Sequence, residues 1–179
     1  MQLSMTGASG VDFKSANPRA RVIVESWGEH HLYCPNCTSP VLALRDDAES
    51  GLDCPRCGSQ FRLKGQKARL GHSVTDGPYT ALMRALRKHE APGFFFVHYD
   101  AATWTVRDVL LVPGGALTPS ALQKGPDGVG CRIVLDTLPP EARIPIITTI
   151  KSSGAGDTEC IMISRPEEVR EKFKQFRKK

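Results

Sequence analysis

Two Cys-x-x-Cys pairs constrain the fold of this chain more than any other feature of its sequence. The first pair is Cys34 and Cys37, the second is Cys54 and Cys57, and sixteen residues separate them. One tight turn presents two sulfurs to a single ion, and two such turns complete a tetrahedron. The spacing predicts one structural zinc ion in a closed four-sulfur shell, within a zinc ribbon spanning residues 31–64. A redox disulfide motif is the alternative, but a redox protein does not usually need two such pairs.

Polar and apolar side chains alternate directly after the second cysteine pair. Strand side chains alternate with a period of two, so Phe61 and Leu63 share one face of a predicted strand. Gln60, Arg62 and Lys64 share the other face. The apolar pair belongs to the core, and the polar face is therefore directed at solvent, a ligand or a groove.

Basic residues are concentrated in the stretch that includes and follows the second pair. The net charge is +5, and between positions 56 and 88 eight basic residues stand against one acid, Asp76. Such a concentration is typical of a surface that contacts phosphates, and a solvated face without a partner is the alternative. The predicted nucleic-acid-binding residues are Arg62, Lys64, Lys67, Arg69, Arg84, Arg87 and Lys88.

The length of 179 residues suits one domain with a short appendage. Residues 1–16 show no periodicity and are interpreted as a flexible N-terminal arm, followed by one domain over residues 17–179. No stretch approaches the roughly 18 consecutive apolar residues of a membrane span, and the N-terminal residues lack the features of a signal peptide. We therefore expect a cytoplasmic protein without a membrane partner.

Three helices are predicted from start signals and apolar spacing. The first begins at Pro18 and ends at Gly28. The second begins after Asp76, whose carboxylate is expected to cap the free amides, and the third follows Pro166. Residues 65–77 contain several glycines and are expected to form an exposed loop.

Further strands are predicted from short apolar runs. Their ranges are 41–44, 94–97, 104–112, 131–135, 144–150 and 160–163. The run of three phenylalanines in the second of these is typical of a strand buried on both faces, although phenylalanines also stack on bases. We expect it to form a hairpin with the next strand. Cys131 and Cys160 are interpreted as buried small apolar residues, since disulfides are rare in the cytoplasm.

Six segments resemble, in order, one family of nucleases. They are ARVIVESW (20–27), YCPNC (33–37), CPRCGSQFRLK (54–64), TDGPYTALMRAL (75–86), GFFFVHYD (93–100) and EEVREKFKQF (167–176). Together they are similar to the first domain of the Dpn-type restriction endonucleases, which are related to the Dam-replacing proteins and cut GATC sites carrying N6-methyladenine. The resemblance implies an α/β fold of the PD-(D/E)xK nuclease type, a mixed sheet flanked by helices with an inserted four-cysteine zinc ribbon.

The catalytic motif that this resemblance implies is broken in the chain. In such nucleases an aspartate and a glutamate hold Mg²⁺, and a lysine two residues after the glutamate helps to activate or orient the attacking water. Lys64 keeps the lysine position, but Arg62 stands at the glutamate position and Gly51 at the aspartate position. An arginine there repels the cation by an amount on the order of a few kcal/mol at an effective dielectric constant near 20.

Other carboxylates offer a way to retain activity. Asp53 and Glu49 lie close to the lost aspartate in the sequence, and Glu25 comes from the first helix. An active Mg²⁺-dependent endonuclease that cuts methyladenine GATC DNA would use Lys64 with Asp53 and Glu25 as its catalytic residues. This is the second of three hypotheses.

The leading hypothesis is a DNA-binding protein whose restriction-endonuclease-like domain has lost its catalytic acids. It would be a pseudonuclease, or a subunit of a larger nucleic-acid or defence complex, with one structural zinc ion and double-stranded DNA as its partner. Arg62 and Lys64 would hold a phosphate where the metal once lay. A zinc-ribbon adaptor that binds protein is the third hypothesis, and the basic stretch argues against it.

Overall fold

The computed structural model describes residues 1–5, 16–46, 51–151 and 158–177. The helices are α1 (Ala16–His31), α2 (Tyr79–Arg87) and α3 (Pro166–Lys174). The strands are β1 (Ala43–Leu44), β2 (Gly51–Asp53), β3 (Gln60–Gln66), β4 (Ser73–Pro78), β5 (Gly93–Asp100), β6 (Thr105–Val112), β7 (Leu122–Lys124), β8 (Gly130–Val134), β9 (Ile144–Lys151) and β10 (Glu159–Ile163). Within the described ranges, no helix has the length and apolar character needed to cross a membrane.

Seven of the strands form one mixed sheet, and the other three form a smaller antiparallel sheet. The large sheet has the order β1-β2-β3-β5-β6-β9-β10, and the small sheet has the order β4-β8-β7. β3 and β5 are parallel, with Lys64 opposite Phe96, and β4 and α2 make the crossover that a parallel pair requires. This mixed sheet with its helices confirms the predicted fold class.

The phenylalanine run of β5 is buried because both faces of the large sheet are covered. Phe95 lies in a core that includes residues of α1 and α3. Phe94 and Phe96 point the other way, into a second core formed with α2 and the small sheet. All three side chains are at most 1% exposed. The predicted hairpin of β5 with β6 is confirmed, and packing accounts for the three phenylalanines without base stacking.

The first helix is longer than predicted, because Gly28 does not end it. α1 continues to His31. A Cβ at Gly28 would lie 2.5 Å from Leu63 Cδ2, so the glycine makes room for the strand beneath the helix. Trp27, buried in the core, donates its indole N–H to the carbonyl of Gln2 at 2.8 Å.

The first five residues of the predicted arm lie against the fold. Met5 is 5% exposed, and its N–H donates to the Trp104 carbonyl at 2.8 Å. The N–H of Val106 donates to the Leu3 carbonyl at 2.9 Å. These contacts differ from the expectation of a flexible arm, while residues 6–15 lie outside the described residues.

Three local predictions are wrong. The expected loop 65–77 includes the end of β3 and most of β4. The N-cap of α2 is Pro78, with no side-chain capping hydrogen bond, so Asp76 does not cap this helix. Cys131 is buried as predicted, but Cys160 is exposed on the edge strand β10.

The third helix is confirmed, and it attaches the zinc ribbon to the sheet. Phe173 is buried against Phe61 of β3, with ring centroids 6.1 Å apart. Arg170 donates to the carbonyls of Cys34 at 3.1 Å and Ser39 at 3.3 Å. The first cysteine pair is therefore held by a helix more than 100 residues further along the chain.

Replacing Gly114 with alanine is expected to destabilise the fold. The added Cβ would lie 2.0 Å from the Ala91 carbonyl oxygen and 2.5 Å from that of Pro92. Backbone atoms cannot swing aside as a flexible side chain does, so we expect a loss of about 1–3 kcal/mol in the free energy of unfolding. Gly71→Ala is the matched control, because no heavy atom lies within 4 Å of its added Cβ. Denaturant titration checks both variants, and equal midpoints would contradict the prediction.

Candidate functional site

The four predicted zinc ligands come together in the structure. The Sγ atoms of Cys34, Cys37, Cys54 and Cys57 all lie within 4.8 Å of one another. Two of the sulfur–sulfur distances, Cys34 to Cys57 and Cys37 to Cys54, are 3.6 Å. A tetrahedral ion with Zn–S bonds of about 2.3 Å places its sulfurs roughly 3.8 Å apart. The cluster is therefore compatible with a structural zinc ion.

The backbone around each pair forms the turn that such a site needs. The amides of Asn36 and Ser39 approach the Sγ atoms of Cys34 and Cys37 at 3.3 and 3.4 Å. After the second pair, Gly58 has a φ of +71°, a left-handed conformation that favours glycine. All six cysteines are free thiols, so the sulfurs are arranged as ligands and not as a disulfide.

The zinc ribbon continues directly into the strand pair that carries the positions which the resemblance assigns to the catalytic motif. In the β2–β3 ladder, Gly51 is the partner of Arg62, and Asp53 is the partner of Gln60. Partners share a face of the sheet, and Lys64 shares it too because it lies two residues beyond Arg62. The positions that the resemblance assigns to the two carboxylates and the lysine are therefore neighbours in space.

Arg62 and Lys64 converge on one buried carboxylate, that of Asp76 in β4. Arg62 Nη1 lies 2.7 Å from Oδ2, and Lys64 Nζ lies 3.0 Å from Oδ1. The Asp76 side chain is fully buried, whereas that of Arg62 is 9% exposed and that of Lys64 is 30% exposed. The Lys64 contact lacks hydrogen-bond geometry, so among the described residues it compensates the charge of Oδ1 without donating to it. Asp76 is thus an internal counter-ion and not the predicted helix cap.

Arg45 occupies the space beside Gly51. A Cβ at Gly51 would lie 2.9 Å from the Arg45 Cζ. The same guanidinium pairs with Asp53, with Nη2 2.6 Å from Oδ1. Asp53, the described carboxylate that lies two residues from Gly51, is therefore already paired with an arginine.

Glu25 is also paired with an arginine. Its Oε1 lies 2.7 Å from Arg21 Nε, one helical turn earlier in α1. Glu25 and Lys64 line the same cavity of about 270 Å³, so the structure does bring these two candidates near each other. Glu49, the remaining candidate acid, lies outside the described residues.

The cations around the motif are paired with acids. In the described part of the chain, Arg45 pairs with Asp53, and Arg62 and Lys64 both pair with Asp76. Among the described residues, the four cysteines are the one set of His, Cys, Asp or Glu side chains whose geometry suits a metal ion. The described carboxylates therefore form no cluster for a hard cation.

Cys131 lies beside the buried ion pair. It is the cross-strand partner of Asp76 and is fully buried. Burial, with a smaller contribution from the Asp76 carboxylate, raises the pKa of the Cys131 thiol to about 11. The group is therefore a neutral thiol at pH 7 and packs as a small apolar residue.

The other predicted nucleic-acid-binding residues are exposed, but they fall into two groups. Lys67 and Arg69 follow β3 and line a cleft at the far end of the sheet from the zinc ribbon. Arg84, Arg87 and Lys88 lie on the exposed side and at the end of α2. His89, directly after them, lines a cavity with zinc-ribbon residues, so this group lies at the ribbon end of the molecule.

Residues that the sequence analysis did not identify also contribute to the site. Asp76 is the one acid between positions 56 and 88, and an isolated acid among eight basic residues is itself an indication of an ion pair. His98 and Asp108 hydrogen-bond across the β5–β6 hairpin at 2.7 Å. Polar residues inside two apolar strands were the signal for this pair. Arg45 carried no signal, because its contacts depend on how β1 folds against β2.

A known protein family matches nearly the whole length of this sequence. A family model described as the Dam-replacing family (DpnI) matches residues 1–177. The match is to a restriction-endonuclease-like domain that interacts with DNA, and it spans both the zinc ribbon and the β2–β3 strand pair.

Proposed function

The chain belongs to the Dam-replacing family, and on that premise we propose that it binds double-stranded DNA without cleaving it. It is a pseudonuclease in which positive charge has replaced the catalytic acids of the family. A DNA-binding domain without its own chemistry acts through other components, so we place it as a subunit of a larger nucleic-acid or defence complex.

One observation carries this proposal: Arg62 at the glutamate position is ion-paired with Asp76 and lies opposite Gly51. In the PD-(D/E)xK scheme both positions supply oxygen ligands to Mg²⁺, a hard cation that prefers carboxylates. Here one position has no side chain and the other bears a cation. The residues present therefore do not fit Mg²⁺.

The migrated carboxylates do not supply the missing ligands. Asp53 and Glu25 are each bound by an arginine, at 2.6 and 2.7 Å. A metal ion would have to displace Arg45 or Arg21 to reach them. This arrangement favours the pseudonuclease over an active endonuclease.

The same charges favour a phosphate. Arg62 and Lys64 both contact the Asp76 carboxylate, and Lys64 is the more exposed of the two. The Arg62 guanidinium is turned to Asp76, so we assign the direct phosphate contact to Lys64, with Arg62 contributing to the field around it. The exposed cations Lys67, Arg69, Arg84, Arg87 and Lys88 extend the contact surface.

A plasmid assay tests the absence of cleavage. Supercoiled plasmid with methylated or unmethylated GATC sites is incubated with the protein in Mg²⁺ or Mn²⁺, and we expect no nicking above buffer. Lys64→Ala is the matched variant, because it removes the one motif residue that remains. Nicking by the unaltered protein that is lost in Lys64→Ala would overturn the pseudonuclease and support the active enzyme.

A gel-shift series with the same DNA tests binding. We expect duplex binding at low salt that weakens as salt rises, because bound phosphates release their counterions. Absence of duplex binding even at low salt would contradict the DNA-binding role and favour the zinc-ribbon adaptor.

A further inference from the structure

A cleft of about 390 Å³ lies between the ends of the central strands, away from the zinc ribbon. Residues of β5, β6, β9 and β10 line it, together with the segment that follows β3. Its size lies within the range of about 300–1,000 Å³ typical of small-ligand sites. It is therefore large enough for one nucleotide unit.

A histidine is fixed at this cleft by a carboxylate. His98 Nδ1 lies 2.7 Å from Asp108 Oδ2, and Asp108 Oδ1 accepts the Thr149 N–H at 2.9 Å. An ionised carboxylate only accepts hydrogen bonds, so His98 Nδ1 carries its proton. Nε2 has no partner among the described residues. The imidazole is thus oriented for a ligand.

The acids of the cleft are all engaged, whereas three of its cations are not. Arg107 pairs with Asp100 at 3.2 Å and with Glu159 at 2.5 Å, and Asp108 is held by His98. The lining cations without an acid partner in the described ranges are Lys67, Arg69 and Lys151. The lining has four cations (Lys67, Arg69, Arg107 and Lys151) and three acids (Asp100, Asp108 and Glu159), so its formal net charge is +1 without His98.

The turn that carries two of these cations is itself ordered. The Gln66 side-chain amide donates to the carbonyls of Ala68 at 2.9 Å and Arg69 at 3.3 Å. Gln66 is also the cross-strand partner of His98. Lys67 and Arg69 are consequently held near the imidazole and are not on a free loop.

The cleft continues the face that carries the broken motif. Successive rows of the β3–β5 ladder pair Lys64 with Phe96 and Gln66 with His98, and these residues share one face. Two residues along a strand span about 6.6 Å, so the backbone of the Gln66–His98 pair lies about that far from the backbone of the Lys64–Phe96 pair.

We propose that this cleft is a second phosphate-binding site, which holds a nucleotide phosphate among the side chains of Lys67, Arg69 and Lys151, beside the His98–Asp108 pair. The inference rests on the proposed DNA-binding function for the source of the phosphate, which is the DNA backbone. A free nucleotide or inorganic phosphate has the same chemistry, and the experiment distinguishes these sources.

Salt dependence of duplex binding is the first measurement. The triple variant Lys67→Ala/Arg69→Ala/Lys151→Ala changes three exposed side chains and is expected to keep the fold. Each lost phosphate contact reduces the slope of log K against log salt by about 0.9, so we expect a reduction of about 1 with weaker binding. Lys172→Ala, an exposed cation of α3 outside the cleft, is the matched control and is expected to keep the slope of the unaltered protein.

Imidazole NMR signals are the second measurement. They test phosphate binding in the cleft independently of the proposed DNA-binding function. His98, assigned through His98→Gln, is expected to shift on titration with a short duplex at lower concentration than with deoxyadenosine monophosphate or inorganic phosphate. His30, exposed on α1, is the internal control.

The two measurements fail in different ways. An unchanged slope in the triple variant together with an unmoved His98 signal would contradict phosphate binding in the cleft, even if the protein binds DNA. A His98 shift with the mononucleotide or phosphate, in a protein that does not bind duplex, retains the site as a free-phosphate pocket and overturns the DNA-binding function instead.

Discussion

Replacing Cys34 with serine is expected to lower the free energy of unfolding by at least about 4 kcal/mol, and chelation of zinc from the unaltered protein is expected to act in the same direction. A structural zinc ion contributes about 10–16 kcal/mol of apparent binding free energy in isolated zinc-finger peptides. Losing one of the four ligands therefore removes a large part of this binding free energy.

The structure explains why this loss is not confined to the ribbon. Cys34 and Cys54 are buried in the same core as Leu52 and Phe61. The carbonyl of Cys34 also accepts a hydrogen bond from Arg170 of α3. Without the ion, both the strand pair β2–β3 and the terminal helix lose the surface against which they pack.

Cys160→Ser is the matched control for this prediction. Cys160 is an exposed free thiol on the edge strand, outside the four-sulfur cluster. Metal analysis is expected to find one zinc ion per chain in the unaltered protein and in the control, and thermal melts are expected to coincide for these two. A Cys34→Ser variant that melts with them, or a zinc content far below one per chain, contradicts the structural zinc site.

Replacing Asp76 with asparagine is expected to destabilise the protein by about 3–5 kcal/mol. Arg62 is 9% exposed, and it loses the charge of its buried partner. Breaking a buried ion pair on one side is costly even where the intact pair adds little net stability, because the remaining charge keeps its desolvation cost. Lys64 retains access to solvent and is less affected.

Asp53→Asn tests whether burial of the ion pair is the reason for the large loss of stability expected in Asp76→Asn. Asp53 pairs with Arg45 at 2.6 Å, close to the 2.7 Å of the Asp76 pair, but its side chain is 39% exposed. An exposed pair of this kind contributes about 0–1 kcal/mol, so we expect a small effect. Denaturant titration of both variants measures the difference, and similar losses would show that burial of the Arg62–Asp76 pair does not set its contribution.

Much of the fold could be predicted because its signals are local. The unbroken run Phe94, Phe95 and Phe96 predicted a strand buried on both faces, and the turn after it predicted the hairpin with β6. The predictions that were wrong involved residues with two possible roles. Gly28 interrupts many helices, but here it makes room for Leu63. Asp76 precedes a proline as a helix cap does, but its strand directs it inward to Arg62.

The sequence by itself predicted the four-cysteine cluster from the spacing of its cysteines, and the family resemblance predicted that positions 51 and 62 carry no acid. The tertiary structure decided which charges meet. The pairing of Arg62 with Asp76, of Asp53 with Arg45 and of His98 with Asp108 requires strands to come together and one partner to lose its water. The free energy of an ion pair depends on burial as much as on charge, and burial is a property of the packed molecule that residue spacing does not contain.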